Sequence, residues 1–305
     1  MSAAATTSPP QIRQHTAAKA RTLLEALPFI RAHHGSVIVV KIGGAAIETG
    51  GLPGSFAEDV ALLRYAGIEP VIVHGGGPAV TRVSAQLGIE TTFVDGLRVT
   101  DAATLDVATM VLAGKINTEI VATLIAGDVR AVGLSGVDGG LLVARKASTE
   151  GAALDLGFVG DVVDVRADLL STLLAERFVP VVASIAIDEN GQAYNVNADV
   201  VASALAIALR AKKLIFVNDV PGVIGPSGEL LSELSAAQCL DLLARDDVVV
   251  GGMIPKLESA IRALDAGIDR VHLVDGRIEH PLVLELFTPE GIGTMIAPDA
   301  PGPPS

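Results

Sequence analysis

The sequence predicts an α/β fold built on a mainly parallel central sheet. Runs of apolar, β-branched residues, such as VIVVKI at 37–42 and PVIVH at 70–74, are typical of strands buried on both faces. Glycines and then helical patterns follow these runs, at 55–65 and 79–87. Open α/β sheets bind ligands at the carboxyl ends of their strands. We therefore expect a ligand-binding site at the glycine-rich ends of these strands.

The composition is that of a compact enzyme rather than a disordered or fibrous chain. Half of the 305 residues are hydrophobic and only 3% are aromatic. The net charge of -13 argues against nucleic acids and membranes as partners. The single cysteine, Cys239, excludes a disulfide framework and a zinc site of cysteine pairs. With no uncharged run of membrane-spanning length and no clean signal-peptide core, we expect a cytoplasmic protein.

The residues before the first strand form a segment of their own. Residues 1–10 are predicted to be disordered, and a helix is predicted over 12–32, bent or interrupted at Pro28. Because this helix precedes the sheet, it could pack on its own domain or against a partner subunit. The sequence leaves both options open.

The first strand ends in a charged group followed by glycines. Lys41 is at the carboxyl end of the strand, and Gly43 and Gly44 allow the backbone to pass close to a ligand. A solvated lysine before a glycine turn would explain this stretch if it stood alone. The recurrence of the same design further along the chain favours a functional role.

The second strand ends in three glycines and a proline. Pro78 suits the first position of a helix, so Gly76 and Gly77 would present bare backbone N–H groups at a helix N-terminus, which is an anion site. A tight strand–helix turn could also require glycine, but three in a row exceed that need. The spacing matches neither GxGxxG nor the Walker P-loop, so neither of those sites is supported.

Two further stretches place polar side chains among apolar residues. Arg98, in FVDGLRVT, is a candidate for bidentate recognition of a carboxylate, although a surface ion pair is the commoner fate of an arginine. In YNVNADVV, Asn195, Asn197 and Asp199 alternate and would point to one side of an extended segment. Helix capping explains one such residue, not three.

The remaining predicted elements alternate between helices and strands. They are helices over 101–126 (one or two), 168–176, 200–209, 235–244 and from 251; strands over 130–135, 179–187, 214–217, 248–250 and 271–274; a hairpin over 138–165; and a closing segment over 285–296.

The last third of the chain carries a second lysine in a glycine-rich setting. GGMIPK places Lys256 in the first turn of a helix, where the helix dipole disfavours a cation unless an anion shares the site. NDVPGV at 218–223 follows a strand and has the composition of a turn. The break between two α/β patterns near 208–213 predicts a domain boundary there.

Together these residues predict a site for phosphates and a carboxylate. No histidine is paired with a serine or cysteine in the manner of nucleophilic catalysis. A carboxylate acceptor is already ionised at pH 7, so phosphoryl transfer to it needs no general base. The transfer then depends on positioning and charge neutralisation by the lysines, with Mg²⁺ held mainly by the nucleotide.

The motifs KIGG, VIVHGGGP, GLRVT, NVNAD, DVPGV and GGMIPK, in this order and spacing, resemble those of the amino-acid kinase family. The resemblance covers residues 37–296 and implies a three-layer αβα sandwich with a mainly parallel open sheet. It implies a substrate lobe with the dimer contacts at 36–209 and an ATP-binding lobe at 210–305. It further implies that ATP phosphorylates the γ-carboxylate of N-acetyl-L-glutamate, the second step of arginine biosynthesis.

The resemblance also assigns roles by matched motif. It implies that Lys41 and Lys256 stabilise the transferred phosphoryl group and that Asp199 organises them. The implied substrate-binding residues are Gly76, Gly77, Arg98 and Asn195; the implied nucleotide-binding residues are Gly43, Gly44, Asp219, Pro221, Gly222, Val223 and Gly252. No protein side chain is implied as a metal ligand. Ile42 and Asn218 depart from the aromatic and the threonine often found there, without removing a charged group.

The segment 1–35 resembles the N-terminal extension of arginine-inhibited family members, in which such helices interlace dimers into a hexamer. This implies a homo-oligomer built as a trimer of dimers and feedback inhibition by arginine, with Glu285 and Gly291 as contacts. Two alternatives remain. A kinase for an N-acylated aminoadipate would share every phosphate-handling residue, and a non-catalytic arginine sensor could use the same scaffold.

Overall fold

The computed structural model describes residues 17, 19–44, 53–94, 97–147, 155–245 and 249–299. Through its centre runs an eight-stranded sheet in the order β12-β14-β13-β11-β1-β2-β8-β5. Its strands are β1 (Val37–Ile42), β2 (Glu69–His74), β5 (Ala131–Ser135), β8 (Val179–Ala183), β11 (Lys213–Asn218), β12 (Glu233–Ser235), β13 (Arg270–Asp275) and β14 (Thr294–Ala297). Among the described strands of this sheet, only the pairing of β13 with β14 is antiparallel. The predicted parallel sheet is confirmed.

Helices cover both faces of the sheet. They are α1 (Leu27–His33), α2 (Gly54–Tyr65), α3 (Gly77–Gln86), α4 (Ala102–Thr109), α5 (Asn117–Ala126), α6 (Asp168–Ala175), α7 (Ala198–Ala208), α8 (Ala236–Leu243), α9 (Met253–Asp265) and α10 (Pro281–Phe287). Alternate side chains of β1 enter opposite layers: Val39 packs in one apolar cluster, and Ile38 and Val40 pack in the other. The predicted three-layer αβα sandwich is therefore confirmed.

A smaller four-stranded sheet lies beside the central one, in the order β10-β9-β6-β7. Its strands are β6 (Leu142–Lys146), β7 (Gly160–Val165), β9 (Ile185–Ile187) and β10 (Ala193–Asn195), and a separate pair is formed by β3 (Phe93–Val94) and β4 (Leu97–Arg98). The antiparallel pair β6–β7 confirms the predicted hairpin. The single strand predicted over 179–187 is instead divided at Ser184, because β8 joins the large sheet and β9 the small one.

The helix predicted over 101–126 runs as α4, a π-helical segment (Met110–Ile116) and α5. This helix is long and apolar enough to cross a membrane by length and composition alone, and it is the single described helix that passes that test. Its α5 part packs on β5 and β8, as a core helix does. Met110 and Ile125, each 57% exposed, lie on its outer side.

Several local predictions are wrong. Val249 and Val250 are not in a strand, and Val248 lies outside the described residues. The predicted N-terminal helix is helical over 19–25, turns at Ala26 and restarts as α1, which has Pro28 in its first turn. Residues 1–16, which include the stretch predicted to be disordered, lie outside the described part, and Leu23 of this helix is 75% exposed.

Candidate active site

Three charged side chains from distant parts of the chain meet beside the carboxyl end of β1. Lys41 is the fifth residue of β1, while Asp199 and Lys256 lie in the first turns of α7 and α9. The Lys41 Nζ atom is 2.7 Å from Asp199 Oδ1, and Lys256 Nζ is 3.3 Å from Asp199 Oδ2. Each oxygen of one carboxylate thus faces one ammonium group.

This cluster is buried and carries an excess positive charge. The side chains of Lys41 and Asp199 are 7% and 6% exposed, and that of Lys256 is 16% exposed. Burial lowers the pKa of Lys41, and nearby Lys256 adds to this effect, while Asp199 opposes it. Burial alone would raise the pKa of Asp199, but the two lysines outweigh burial and hold that pKa below its ordinary value. Two cations against one anion favour a further anion, such as a phosphoryl group.

The start of α7 fixes the position of Asp199. Asn197 is the N-cap of this helix, and its side-chain oxygen accepts the backbone N–H of Asp199 at 2.8 Å. The prediction that Asn195, Asn197 and Asp199 alternate along one extended segment is therefore wrong at Asp199, which is already helical. All three side chains nevertheless line one cavity, because β10 leads directly into the capped helix.

Two glycine segments approach each other closely at the same end of the sheet. A Cβ atom on Gly44 would lie 3.2 Å from the Cα of Gly76 and 3.1 Å from Cδ of Pro78. A Cβ atom on Gly76 would lie 2.2 Å from Cδ1 of Ile116. Gly77 begins α3, whose first N–H groups have no acceptor within the helix. A side chain at Gly44 or Gly76 would therefore displace the glycine loop at 75–77, which we call the anion loop.

Arg98 is held by one of its two terminal guanidinium nitrogens, Nη2. Its Nη2 donates to the carbonyl of Gly77 at 2.7 Å and to Thr81 Oγ1 at 2.8 Å, and its guanidinium carbon lies 4.6 Å from the centre of the Phe93 ring. Its Nη1 is buried and has no hydrogen-bond partner among the described residues. Burial lowers the pKa of Arg98, so an anionic partner would relieve an unfavourable charge.

A cavity of about 220 Å³ collects most of these groups. The predicted site residues that line this cavity are Lys41, Gly44, Gly76, Gly77, Arg98, Asn195, Asn197 and Asp199. Sequence reasoning missed Ser184, Val80, Leu112 and Val159, which also line it. The apolar residues carry no local signal, and Ser184 enters only because the strand divides there. The cavity lining thus combines charged and polar side chains with apolar ones.

Apart from Gly44, the residues predicted to bind the nucleotide do not line this cavity and lie around the end of β11. The N–H of Gly43 donates to the carbonyl of Val217 at 2.8 Å, and Gly252 accepts from Lys256 Nζ at 2.9 Å. Asp219 is exposed, and its charge partly opposes the lowering of the Lys41 pKa by burial.

Further along the NDVPGV loop the residues pack inward. A Cβ atom on Gly222, whose φ is +150°, would lie 2.5 Å from Thr294 Oγ1, and the N–H of Val223 donates to that oxygen at 2.9 Å. Pro221 is half-buried between Asp219 and Gly222. In the described structure Gly222 and Val223 therefore anchor the loop to β14, and Asp219 is its exposed polar group.

The residues predicted as effector contacts lie in a second buried cluster that does not line this cavity. Glu285 Oε1 is 2.5 Å from His272 Nδ1, and Glu285 Oε2 accepts the N–H of Ile292 at 2.7 Å. Gly291, at φ +61°, leaves room for this carboxylate, since a Cβ atom there would lie 3.0 Å from Oε2. Lys213 Nζ contacts the other ring nitrogen of His272 at 2.9 Å.

The N-terminal helix reaches this second cluster. Burial, with Lys213 and Lys212 nearby, lowers the pKa of His33 on α1 to about 4. Burial likewise lowers the pKa of Lys213 to about 8, although Glu285 opposes the shift. No group of three or more metal-binding side chains is formed within the described ranges.

Comparison with known proteins assigns the chain to a family. Residues 36–275 match the amino acid kinase family. The chain belongs to this family. The predictions of the family and of its fold are therefore confirmed, and membership of a kinase family implies the use of ATP.

Among relatives, this amino acid kinase is 48% identical over 285 residues to the acetylglutamate kinase of Symbiobacterium thermophilum, covering 91% of this chain and 97% of the relative. It is also 48% identical over 290 residues to the acetylglutamate kinase of Aquifex aeolicus, covering 91% of this chain and 97% of that relative.

Solved structures of an N-acetylglutamate synthase from Neisseria gonorrhoeae are similar as well. The complex with coenzyme A and N-acetyl-glutamate gives a TM-score of 0.82 at 29% identity, covering 92% of this chain and 64% of the synthase. The complex with coenzyme A and L-arginine gives a TM-score of 0.77 at 27% identity, covering 91% of this chain and 65% of the synthase. The chain thus spans just under two thirds of the synthase.

Proposed function

We propose that this kinase transfers the γ-phosphoryl group of ATP to the γ-carboxylate of N-acetyl-L-glutamate, giving N-acetyl-L-glutamyl 5-phosphate, the second step of arginine biosynthesis. The observation that carries the proposal is the cavity lined by Lys41, Asp199 and Arg98: Asp199 also pairs with Lys256, and Nη1 of Arg98 has no partner among the described residues. The two 48%-identical acetylglutamate kinases support it over nearly their full length.

The reaction needs no proton transfer. An oxygen of the ionised γ-carboxylate attacks the γ-phosphorus, and the bond from that phosphorus to the bridging oxygen of ADP breaks, so ADP leaves with the electron pair. Lys41 and Lys256 neutralise charge on the moving phosphoryl group, and Asp199 keeps both ammonium groups in place. Mg²⁺, when bound by the nucleotide phosphates, would screen their charge.

The remaining site residues position the two substrates. Arg98 would hold the α-carboxylate of N-acetyl-L-glutamate through Nη1, and Asn195 would bind its acetamido group. Gly76 and Gly77 would donate backbone N–H groups to the reacting end. The ATP would lie across the end of β11, near Gly43, Gly44, Asp219, Pro221, Gly222, Val223 and Gly252, within a lobe spanning 210–305.

The same proposal includes a cytoplasmic homo-oligomer, a hexamer built as a trimer of dimers. The exposed Met110 and Ile125 on the long helix of the 36–209 lobe support a dimer contact there, because large apolar side chains exposed on a surface favour association. The segment 1–35 would link the dimers.

Feedback inhibition by arginine belongs to this proposal as well. The buried Glu285 beside Gly291 provides a carboxylate for a guanidinium, and the helix that carries His33, α1, packs on the helix that carries Glu285, α10. The synthase solved with L-arginine has 27% identity to this chain.

The test is an assay of acyl phosphate trapped by hydroxylamine as the hydroxamate. N-acetyl-L-glutamate, N-acetyl-aminoadipate and free glutamate are each offered with ATP and Mg²⁺, with and without arginine. We expect turnover of N-acetyl-L-glutamate that arginine suppresses. Preferred turnover of the aminoadipate would replace the substrate, and a folded protein that binds ATP but makes no hydroxamate would overturn the kinase proposal in favour of a sensor.

A further inference from the structure

Behind the glycine loop lies a buried histidine that the proposed chemistry does not use. His74 is the last residue of β2 and is 0% exposed. Its Nδ1 is 3.0 Å from the carbonyl oxygen of Gly75, and its Nε2 is 3.1 Å from Nδ2 of Asn117, the first residue of α5. Both ring nitrogens therefore have partners, and one partner belongs to the anion loop itself.

The surroundings of Asn117 determine where the histidine proton lies. The Nδ2 of Asn117 is 2.9 Å from the carbonyl of Val181 and 3.3 Å from that of Leu134. Carbonyl oxygens only accept hydrogen bonds, so the NH₂ group of the amide must face them. The same NH₂ group faces Nε2 of His74, which must then be the unprotonated, accepting nitrogen. The proton of His74 is therefore on Nδ1 and is donated to the carbonyl of Gly75.

The imidazole also stays neutral. Burial lowers the pKa of His74 to about 4, with the Gly75 carbonyl opposing the shift in part. A protonated ring would moreover direct Nε2–H at the NH₂ group of Asn117, donor against donor. The ring thus acts as a fixed donor to the loop rather than as an acid or base.

The Gly75 carbonyl sets the direction of the next N–H group. A trans peptide unit is planar, so the N–H of Gly76 points opposite to the carbonyl of Gly75. With that carbonyl turned toward His74, the Gly76 N–H points away from the ring. Gly76 lines the cavity on the side where Gly44 approaches it. The hydrogen bond from His74 therefore aims a backbone donor at the cavity.

Neighbouring side chains leave the loop little freedom to choose another orientation. A Cβ atom on Gly75 would lie 3.3 Å from Cβ of Ala198, next to Asp199. On the opposite side, the π-helical segment packs Leu112 and Ile116 against Gly76, at 2.8 and 2.2 Å from an added Cβ atom. The loop backbone is thus fixed in place by its neighbours. The remaining change is a rotation of the Gly75 peptide, which would redirect the Gly76 N–H group.

We propose that His74 is a positioning residue: fixed by Asn117 as the neutral Nδ1–H tautomer, it holds the Gly75 peptide so that the Gly76 N–H faces the transferred phosphoryl group. This inference rests on the proposed kinase function. It assigns to the buried histidine of the VIVHGGGP motif a role in catalysis without contact to either substrate.

The first test compares three variants in the hydroxamate assay. His74→Leu should lower kcat about 100-fold, the typical loss when one oriented donor to a transition-state oxyanion is removed. Its KM for N-acetyl-L-glutamate should change less than about threefold, because Arg98 remains in place. His74→Asn should recover at least about tenfold in kcat, because its amide nitrogen can occupy the place of Nδ1. His34→Asn, which alters an exposed histidine, is the matched control and should leave kcat unchanged.

The second test needs no active or stable His74→Leu protein. In wild-type protein labelled with ¹⁵N-histidine, the signal of the His74 ring should show the Nδ1–H tautomer and should not titrate between about pH 5 and 8. That signal should vanish in His74→Asn. An Nε2–H tautomer or an imidazolium at His74 would overturn the assignment.

The outcomes separate this inference from the kinase proposal. An inactive wild-type protein would overturn both. An active wild type with a fully active His74→Leu, or with equal losses of kcat in His74→Leu and His74→Asn that track their stability, would overturn the positioning role alone.

Discussion

At the scale of single residues, the site depends on a lysine kept charged in a buried position. Burial lowers the pKa of Lys41 below its ordinary value of 10.5. Since the protonated form neutralises the phosphoryl group, kcat should fall as the pH rises through that lowered pKa. Asp199→Asn removes the main group that opposes the shift, so the alkaline limb should move to lower pH.

The measurement is kcat across neutral and alkaline pH for both proteins. At neutral pH we expect Asp199→Asn to lose about 100-fold or more in kcat. Asp106→Asn, an exposed carboxylate on α4, serves as the control and should keep the wild-type profile. An alkaline limb at the same pH in wild type and Asp199→Asn would contradict the account.

Arg98 gives a second prediction at this scale, on substrate binding. Arg98→Lys keeps the charge but loses the fork that reaches Gly77 and the cavity together. Loss of a charged hydrogen bond, worth about 1.5–3 kcal/mol, should raise KM for N-acetyl-L-glutamate about 10- to 100-fold. The effect on kcat should be smaller. Steady-state kinetics beside the exposed control Arg130→Lys would check this, and an unchanged KM would exclude Arg98 as the carboxylate contact.

At the scale of elements, a carboxylate of one helix caps another that is remote in sequence. Asp59 of α2 is fully buried, and its Oδ2 accepts the N–H groups of Leu282 and Val283 at 2.9 and 3.4 Å, while Oδ1 is 2.7 Å from His280 Nδ1. The N-cap of α10, His280, provides no side-chain cap of its own. Asp59 therefore satisfies the helix start.

Removing this cap should destabilise the fold. We expect Asp59→Ala to lower the free energy of unfolding by about 3 kcal/mol, because buried N–H groups lose their acceptor. Glu58→Ala, one residue away and 71% exposed, should change it by less than about 0.5 kcal/mol. Urea titration of wild type and both variants measures this free energy, and equal unfolding midpoints for wild type and Asp59→Ala would show that the cap contributes little.

The elements that the sequence predicts well are those with local signals. The β-branched runs give β1, β2, β8, β11 and β13, and Pro78 gives the start of α3. The division of a strand at Ser184 and the π-helical segment were not predicted, because the local sequence is continuously apolar in one case and helical in the other. The short strands β12 and β14 were also missed, since each depends on partners far along the chain.

The candidate site shows the same limit. Motifs identify Lys41, Asp199, Lys256 and Arg98 one at a time, but their meeting depends on the crossovers that bring α7 and α9 to the end of β1. The apolar wall and the donor role of His74 depend on packing alone. These features require the tertiary structure.

At the scale of the whole molecule, removing the N-terminal segment should abolish regulation by arginine and leave catalysis intact. Helix α1 packs on α10, near the cluster of Glu285. Deletion of residues 1–26 retains α1, so kcat without arginine should stay within about twofold of wild type. Arginine inhibition should be lost, and the particle should fall from hexamer to dimer.

Light scattering after size exclusion, together with the arginine titration, tests this prediction. Removal of residues 301–305 is the matched control for truncation and should change neither property. Full arginine inhibition in the shortened protein would exclude residues 1–26 as part of the response.

The central place of β1 also sets the order in which a newly made chain can be completed. One edge of β1 pairs with β2, which emerges from the ribosome soon afterwards, but the other edge pairs only with β11, after most of the chain has been translated. Until then an apolar strand edge stays open, and such edges readily pair with other chains. The strand that carries Lys41 is thus the point at which synthesis is most exposed to aggregation, and slow translation or crowded refolding should lower the yield of native protein.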